Sequence, residues 1–200
     1  HNSPTKIFLG FSRQRASILS FHASTLSLYF LYVIYIMLRL VTIPHFLDRP
    51  LHITRIVSDF TGTLSFDGRL IPGVEDRLRR LKQLVRIDVL SADSFGTASA
   101  QLAAVPLTPE IYNQDGPHDV LKQRHAERNN PSQIAAFGNG NNDALLLKAV
   151  SKAKGLAVAV DNGEGCSTLA MQNANIFVVG IVNGLDLLLH PTRCKATLRR

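Results

Sequence analysis

Short apolar runs and longer amphipathic stretches alternate along most of the chain. Residues 51–57 end in Ile56-Val57 and form an apolar run of strand length, preceded by a shorter one at 40–43 that stops at Pro44. Together they predict an edge strand or hairpin leading into a first core strand. Phe66-Asp67-Gly68-Arg69 predicts a tight hairpin, because Asp-Gly tolerates the positive backbone angles such a turn requires. After Pro72-Gly73, the apolar residues Val74, Leu78, Leu81 and Val85 recur at helical spacing and predict a helix over 74–85. Arg77, Arg79, Arg80 and Lys82 fall mainly off that face and read as solvated surface. The alternation then continues. Strands are predicted at 87–90, 107–112, 133–137, 156–160 and 176–179. Helices are predicted up to about Ala104 and over 118–128, 144–150, 165–172 and 181–189, the last stopped by Pro191. Strands alternating with helices predict the α/β class, with a parallel sheet covered on both faces.

Composition changes this picture little. Two hundred residues suit one domain with an appendage, and a hydrophobic fraction of 46% is enough for a sizeable core. The net charge of +7 is uneven. Residues 1–50 hold five Lys/Arg against one acid, and residues 51–200 hold seventeen against fourteen. The folded part is only mildly basic and has no aromatic-interleaved basic stripe, which argues against a nucleic-acid partner. Cys166 and Cys194 are too few and too isolated for a disulfide framework or a zinc site, so a reducing compartment fits.

Residues 1–36 differ in character from residues 37–200, and the two stretches divide the chain into a leader and a domain. Residues 18–38 contain no Lys, Arg, Asp or Glu, and this length of apolar chain suffices for a membrane span. Arg13 and Arg15 before it and Arg39 after it leave its orientation open. The apolar run is not succeeded by a small-residue cleavage site, which disfavours a signal peptide. The chain opens with His1, and its first Met is Met37. The expectation is a natural start near Met37 and a soluble, cytoplasmic protein. The alternative is an anchor formed by residues 18–38, and only then is a membrane a partner.

The candidate chemistry lies at predicted strand ends. Asp59 closes the first core strand, and Thr61-Gly62-Thr63 turns the chain away from it. In a parallel α/β sheet ligands bind at the carboxyl ends of strands, and small hydroxyl residues with exposed backbone N–H groups suit a phosphate. The next strand ends at Ser91-Ala92-Asp93-Ser94, where Asp93 or Ser94 can cap the adjoining helix. Lys122 sits on the predicted helix 118–128. The strand 133–137 runs into Gly138-Asn139-Gly140-Asn141-Asn142-Asp143. His118 and His125 are seven residues apart, a poor spacing for two ligands on one helix, and are expected to face solvent.

These four groups, in this order, resemble the haloacid dehalogenase-like (HAD) hydrolases over the region from about Val41 to the C-terminus. The closest resemblance is to the phosphorylation domain of P-type ATPases and its small stand-alone, soluble relatives. It implies a three-layer, Rossmann-like HAD fold with a parallel sheet. It also implies a Mg²⁺-dependent phosphohydrolase or phosphotransferase acting through an aspartyl-phosphate. Asp59 would be the nucleophile, with Ser91 and Lys122 as catalytic partners, and Thr61, Gly62, Ser91 and Lys122 would contact the phosphate. The Mg²⁺ ligands would be the Asp59 carboxylate, the Thr61 backbone carbonyl and Asp143, with Asn139 nearby.

Two positions depart from the pattern. Most HAD phosphatases carry a second Asp where this chain, like the ATPases, has Thr61. A hydroxyl cannot replace that acid/base near neutral pH, and such help is worth about 10²–10⁴-fold. Asn139 stands where the ATPases have Asp, which removes a charge from the metal site. The intervals between the motifs are too short for a cap domain or a nucleotide-binding insertion. An open site is therefore expected, and by resemblance capless enzymes act on large or macromolecular phosphates. Two other readings compete: a non-catalytic phosphate- or Mg²⁺-binding module partnering a membrane transporter, and a response-regulator receiver. Receivers carry an acidic pair at the first strand, and none precedes Asp59.

Overall fold

Six parallel strands form the centre of the computed structural model, which describes residues 41–46, 49–112 and 116–198. The expectations for residues 1–36 and 18–38 lie outside the described residues. Among the described residues no helix is long and apolar enough to cross a membrane.

The chain enters through an antiparallel hairpin, β1 (Val41–Phe46) and β2 (Arg49–Ile53), which forms its own two-stranded sheet. Val41, Ile43, Leu51 and Ile53 are buried, while Thr42 and His52 between them are exposed, the alternation a half-buried ribbon requires. β3 (Arg55–Asp59) is the first core strand. A second small hairpin comes next, β4 (Ser65–Phe66) and β5 (Arg69–Leu70). Its turn residues Asp67 and Gly68 have φ of 47° and 71°, as the Asp-Gly signal predicts. Then come α1 (Val74–Lys82), β6 (Arg86–Ser91), α2 (Ala98–Leu102), β7 (Glu110–Ile111) and α3 (His118–Arg128). The C-terminal half contains β8 (Ile134–Gly138), α4 (Ala144–Lys152), β9 (Leu156–Asp161), α5 (Thr168–Asn173), β10 (Ile176–Val179), α6 (Ile181–Leu189) and α7 (Pro191–Leu198).

The sheet order is β10-β9-β8-β3-β6-β7, with every neighbouring pair parallel. β3 is central and buried on both sides. Ile56 packs into the core layer that includes α1, α6 and α7, and Val57 into the layer that includes α3, α4 and α5. The expected three-layer Rossmann-like architecture is present. Among the described residues, the β4–β5 hairpin lies between β3 and α1, and α2 and β7 lie between β6 and α3, so neither interval is long enough to hold a cap domain.

The structure corrects four details. β7 spans two residues instead of 107–112, because Pro109 cannot donate to the ladder and the strand begins after it. α5 starts at Thr168 and not at Gly165: Gly165 has φ of 92°, and the Ser167 side chain caps the helix by accepting from Leu169 N and Ala170 N. Pro191 does not end the helical structure but opens α7, at the one helical position where a missing N–H costs nothing. His125 does not simply face solvent. Its Nε2 lies 2.8 Å from Asp88 on β6 and its Nδ1 3.4 Å from Glu110 on β7.

Candidate active site

The strand register brings the candidate groups to one edge. Asp59 is level with Leu90 on β6, so Ser91 stands one residue further out on the adjacent strand. On the other side Ser58 is level with Phe137 of β8, so Gly138 and Asn139 flank Asp59. α3 then supplies Lys122, which is completely buried.

Lys122 Nζ donates to Asp59 Oδ1 at 2.7 Å and to Asp143 Oδ1 at 2.8 Å. A buried ammonium survives only when paired and hydrogen-bonded. Here burial disfavours the charge, but Asp143 and Asp59 outweigh it and hold Lys122 above its ordinary range. Asp143 is enclosed, and its second oxygen accepts from the N–H groups of Asn139 and Gly140, both at 3.0 Å. Gly138 is obligatory for this arrangement, since a Cβ there would lie 2.4 Å from the Asp143 side chain. Asp59 Oδ2 is the least engaged of the four carboxylate oxygens. It receives a long 3.4 Å contact from Thr63 Oγ1, which also lies 3.2 Å from Asn139 Oδ1. Burial raises the Asp59 carboxyl from 3.8 to about 6; Lys122 pulls it down and Asp143 pushes it up.

The loop after Asp59 is a tight turn in which the Phe60 carbonyl accepts from the N–H groups of Thr63, Leu64 and Ser65. Gly62 has φ of 75°, and a Cβ there would lie 2.4 Å from Asn139 Nδ2 and 2.9 Å from Glu164 Oε2. Thr61 Oγ1 is buried without a hydrogen-bond partner, a hydroxyl placed where a bound oxyanion or its water could satisfy it. Ser91 Oγ accepts from Asp93 N at 2.8 Å, which leaves its proton available as a donor.

A third segment closes the ring. Asn162, after β9, donates to the carbonyls of Gly62 and Thr63 at 3.0 and 2.6 Å, and Ser167 N donates to Asn139 O at 2.7 Å. Beside it opens a cleft of about 510 Å³ lined by Asn139, Asn141, Glu164 and Cys166, among others. Burial pushes the Cys166 thiol up, which makes it a poor nucleophile.

All the predicted site residues therefore lie on adjacent strand ends or on α3, and Asp59, Lys122 and Asp143 are in direct contact. Thr63 was read only as part of the turn after Asp59, and Asn162, Glu164 and Ser167 were not predicted. The available signal was Asp161-Asn162-Gly163-Glu164-Gly165, polar residues and glycines directly after a buried strand. The donors at the site are oxygens, and among the described residues no group of three or more His, Cys, Asp and Glu is arranged to hold a metal ion by itself. Two carboxylates with neutral oxygens and one partnerless hydroxyl suit Mg²⁺, which keeps several waters and needs few protein ligands.

No protein-family profile matches the chain. Its fold is shared with solved phosphatases of low sequence identity. A Vibrio cholerae protein assigned as a 3-deoxy-D-manno-octulosonate 8-phosphate phosphatase superposes with a TM-score of 0.56 at 18% identity, over 70% of this chain and 86% of that one. The Moraxella catarrhalis 3-deoxy-D-manno-octulosonate 8-phosphate phosphatase, solved with magnesium, phosphate and the sugar acid, gives 0.56 at 17% identity, over 74% and 94%. A cobalt-bound Haemophilus influenzae phosphatase of the same kind gives 0.54 at 12% identity, again over 74% and 94%. At the sequence level, 74 residues are 42% identical to the uncharacterised protein MJ0073 of Methanocaldococcus jannaschii, covering 36% of this chain and 75% of that protein. The chain belongs to the family of MJ0073, and its fold is that of the HAD hydrolases.

Proposed function

We propose that the protein is a Mg²⁺-dependent phosphohydrolase that works through phospho-Asp59. The observation that carries this reading is the fully buried Lys122, bridging Asp59 and Asp143 at the carboxyl ends of β3 and β8. Phosphoryl transfer is mostly positioning and charge neutralisation. Asp59 Oδ2 attacks the phosphorus, and the bond to the leaving oxygen breaks. Ser91 Oγ donates to a non-bridging phosphate oxygen. Lys122 holds Asp59 in place and neutralises part of the negative charge. The Thr61-Gly62 turn supplies backbone and hydroxyl groups to the phosphate.

Asp59, the Thr61 carbonyl, Asn139 and Asp143 would hold the metal, which when bound offsets charge on the transferring phosphoryl group. The neighbouring solved structures with magnesium or cobalt support a divalent ion. Thr61, the Gly138–Asp143 sequence and the missing cap support a kinship with the soluble relatives of P-type ATPases. The open site supports a large phosphate substrate.

Thr61 and Asn139 favour a second reading, a module that binds phosphate or Mg²⁺ beside a membrane transporter without turning over. Hydrolysis of an aryl phosphate separates the two. The full chain should hydrolyse p-nitrophenyl phosphate only with Mg²⁺, and Asp59→Asn should lower the rate at least about a hundredfold, within the range mutagenesis gives for essential groups. Equal rates in both proteins would overturn the assignment.

A further inference from the structure

We infer that Glu164 is the base that activates water against phospho-Asp59, taking the role that Thr61 cannot fill. This rests on the reading of Asp59 as the phosphorylated nucleophile. The segment after β9 presents Glu164 at the apex of a turn between Gly163 (φ 100°) and Gly165 (φ 92°). The turn is fastened at three points. Asp161 Oδ1 accepts from Gly163 N and Gly165 N at 2.8 and 3.2 Å. Asn162 clamps the carbonyls of Gly62 and Thr63 from one side and accepts from Ile181 N at 2.7 Å on the other. Glu164 Oε1 accepts from Asp67 N at 2.6 Å, bridging to the β4–β5 hairpin.

One oxygen is thereby fixed and the other is left beside the nucleophile loop. Glu164 Oε2 lies 2.9 Å from the point a Cβ of Gly62 would occupy, and Asn139 Nδ2 lies 2.4 Å from the same point. Asn139 in turn shares Thr63 Oγ1 with Asp59. Glu164 is exposed and lines the cleft that begins at Asn139. It therefore stands over Gly62, the residue that follows Thr61, at the wall of that solvent-accessible cleft. The positive-φ glycines make this placement possible, because two residues with side chains could not flank a side chain so sharply turned.

The step balances without a further reactant. A water oxygen forms the bond to phosphorus, the bond from phosphorus to Asp59 breaks, and the water proton passes to Glu164 Oε2. Orthophosphate leaves and the Asp59 carboxylate is regenerated. Glu164 gives its proton back to solvent, or to the leaving oxygen of the next substrate.

Glu164→Gln preserves an acceptor for Asp67 N, so the turn stays fastened while the base is lost. With p-nitrophenyl phosphate and Mg²⁺, the variant should retain a wild-type burst of nitrophenol. Its steady-state rate should fall about 10²-fold or more, and acid-quenched protein should carry more phosphoryl groups than wild type. Adding Thr61→Asp to this variant should restore turnover, a recovery that a merely structural role for Glu164 would not produce. If Glu164→Gln turns over within about twofold of wild type with no extra phosphoenzyme, against the loss general-base removal brings, the assignment is wrong and the parent reading stands. If wild type itself gives neither turnover nor phosphoenzyme, both fall.

Discussion

Asp59, the proposed nucleophile, is also a buried charge, and the two roles pull its ionisation in opposite directions. Burial lifts its carboxyl to about 6, while attack on phosphorus needs the ionised form. In the metal-free protein the folded state holds this proton more tightly than the unfolded chain does, whose value is near 3.8. The group's contribution to stability is therefore most favourable below about pH 4 and is lost as pH rises through about 6. Asp59→Asn removes that dependence. Urea unfolding of metal-free protein should show the variant gaining roughly 2 kcal/mol on wild type between about pH 4 and pH 7. A constant difference between the two across that interval would contradict the burial argument. Asp59, Ser91, Lys122 and Asp143 were legible because each succeeds or faces a recognisable strand end. Glu164, the proposed base, was not, since it stands on a turn whose shape depends on backbone angles that spacing does not reveal.

At the scale of elements, α3 matters because it carries Lys122, and its orientation is set one turn further on. His125 docks against Asp88, which also pairs with Arg55 across β3 and β6. Burial opposes ionisation of Asp88, but the bonds from His125 and Arg55 outweigh it and hold the carboxyl below its ordinary range. His125→Ala should cost about 1–3 kcal/mol, since it strips a hydrogen bond from a half-buried carboxylate. The loss should be visible as a lower urea midpoint with an unchanged slope. An unchanged midpoint would mean that α3 is held by its apolar face alone. This contact was hidden from sequence reasoning because helical spacing judges a residue by its neighbours on the same helix, and the partner lies on a strand 37 positions away. The strand and helix order, by contrast, was read almost throughout, because buried parallel strands are continuous apolar runs. The misplaced ends of α5 and β7 are the places where a capping serine and a proline override the apolar pattern.

At the scale of the whole molecule, three strand ends and one helix build the proposed phosphoryl-transfer site, and among the described residues no cap domain covers it. The missing cap was legible as interval length, and the fastening of the β9–α5 segment onto the nucleophile loop was not, because it joins residues about a hundred positions apart. The most direct test is to react the protein with an aryl phosphate and Mg²⁺, quench in acid and map the phosphorylated peptide by mass spectrometry. The expected result is a single phosphoryl group on Asp59, absent from Asp59→Asn and absent when EDTA removes the metal. A phosphoryl group on any other residue, or turnover that persists in Asp59→Asn, would contradict the assignment of Asp59 as the nucleophile.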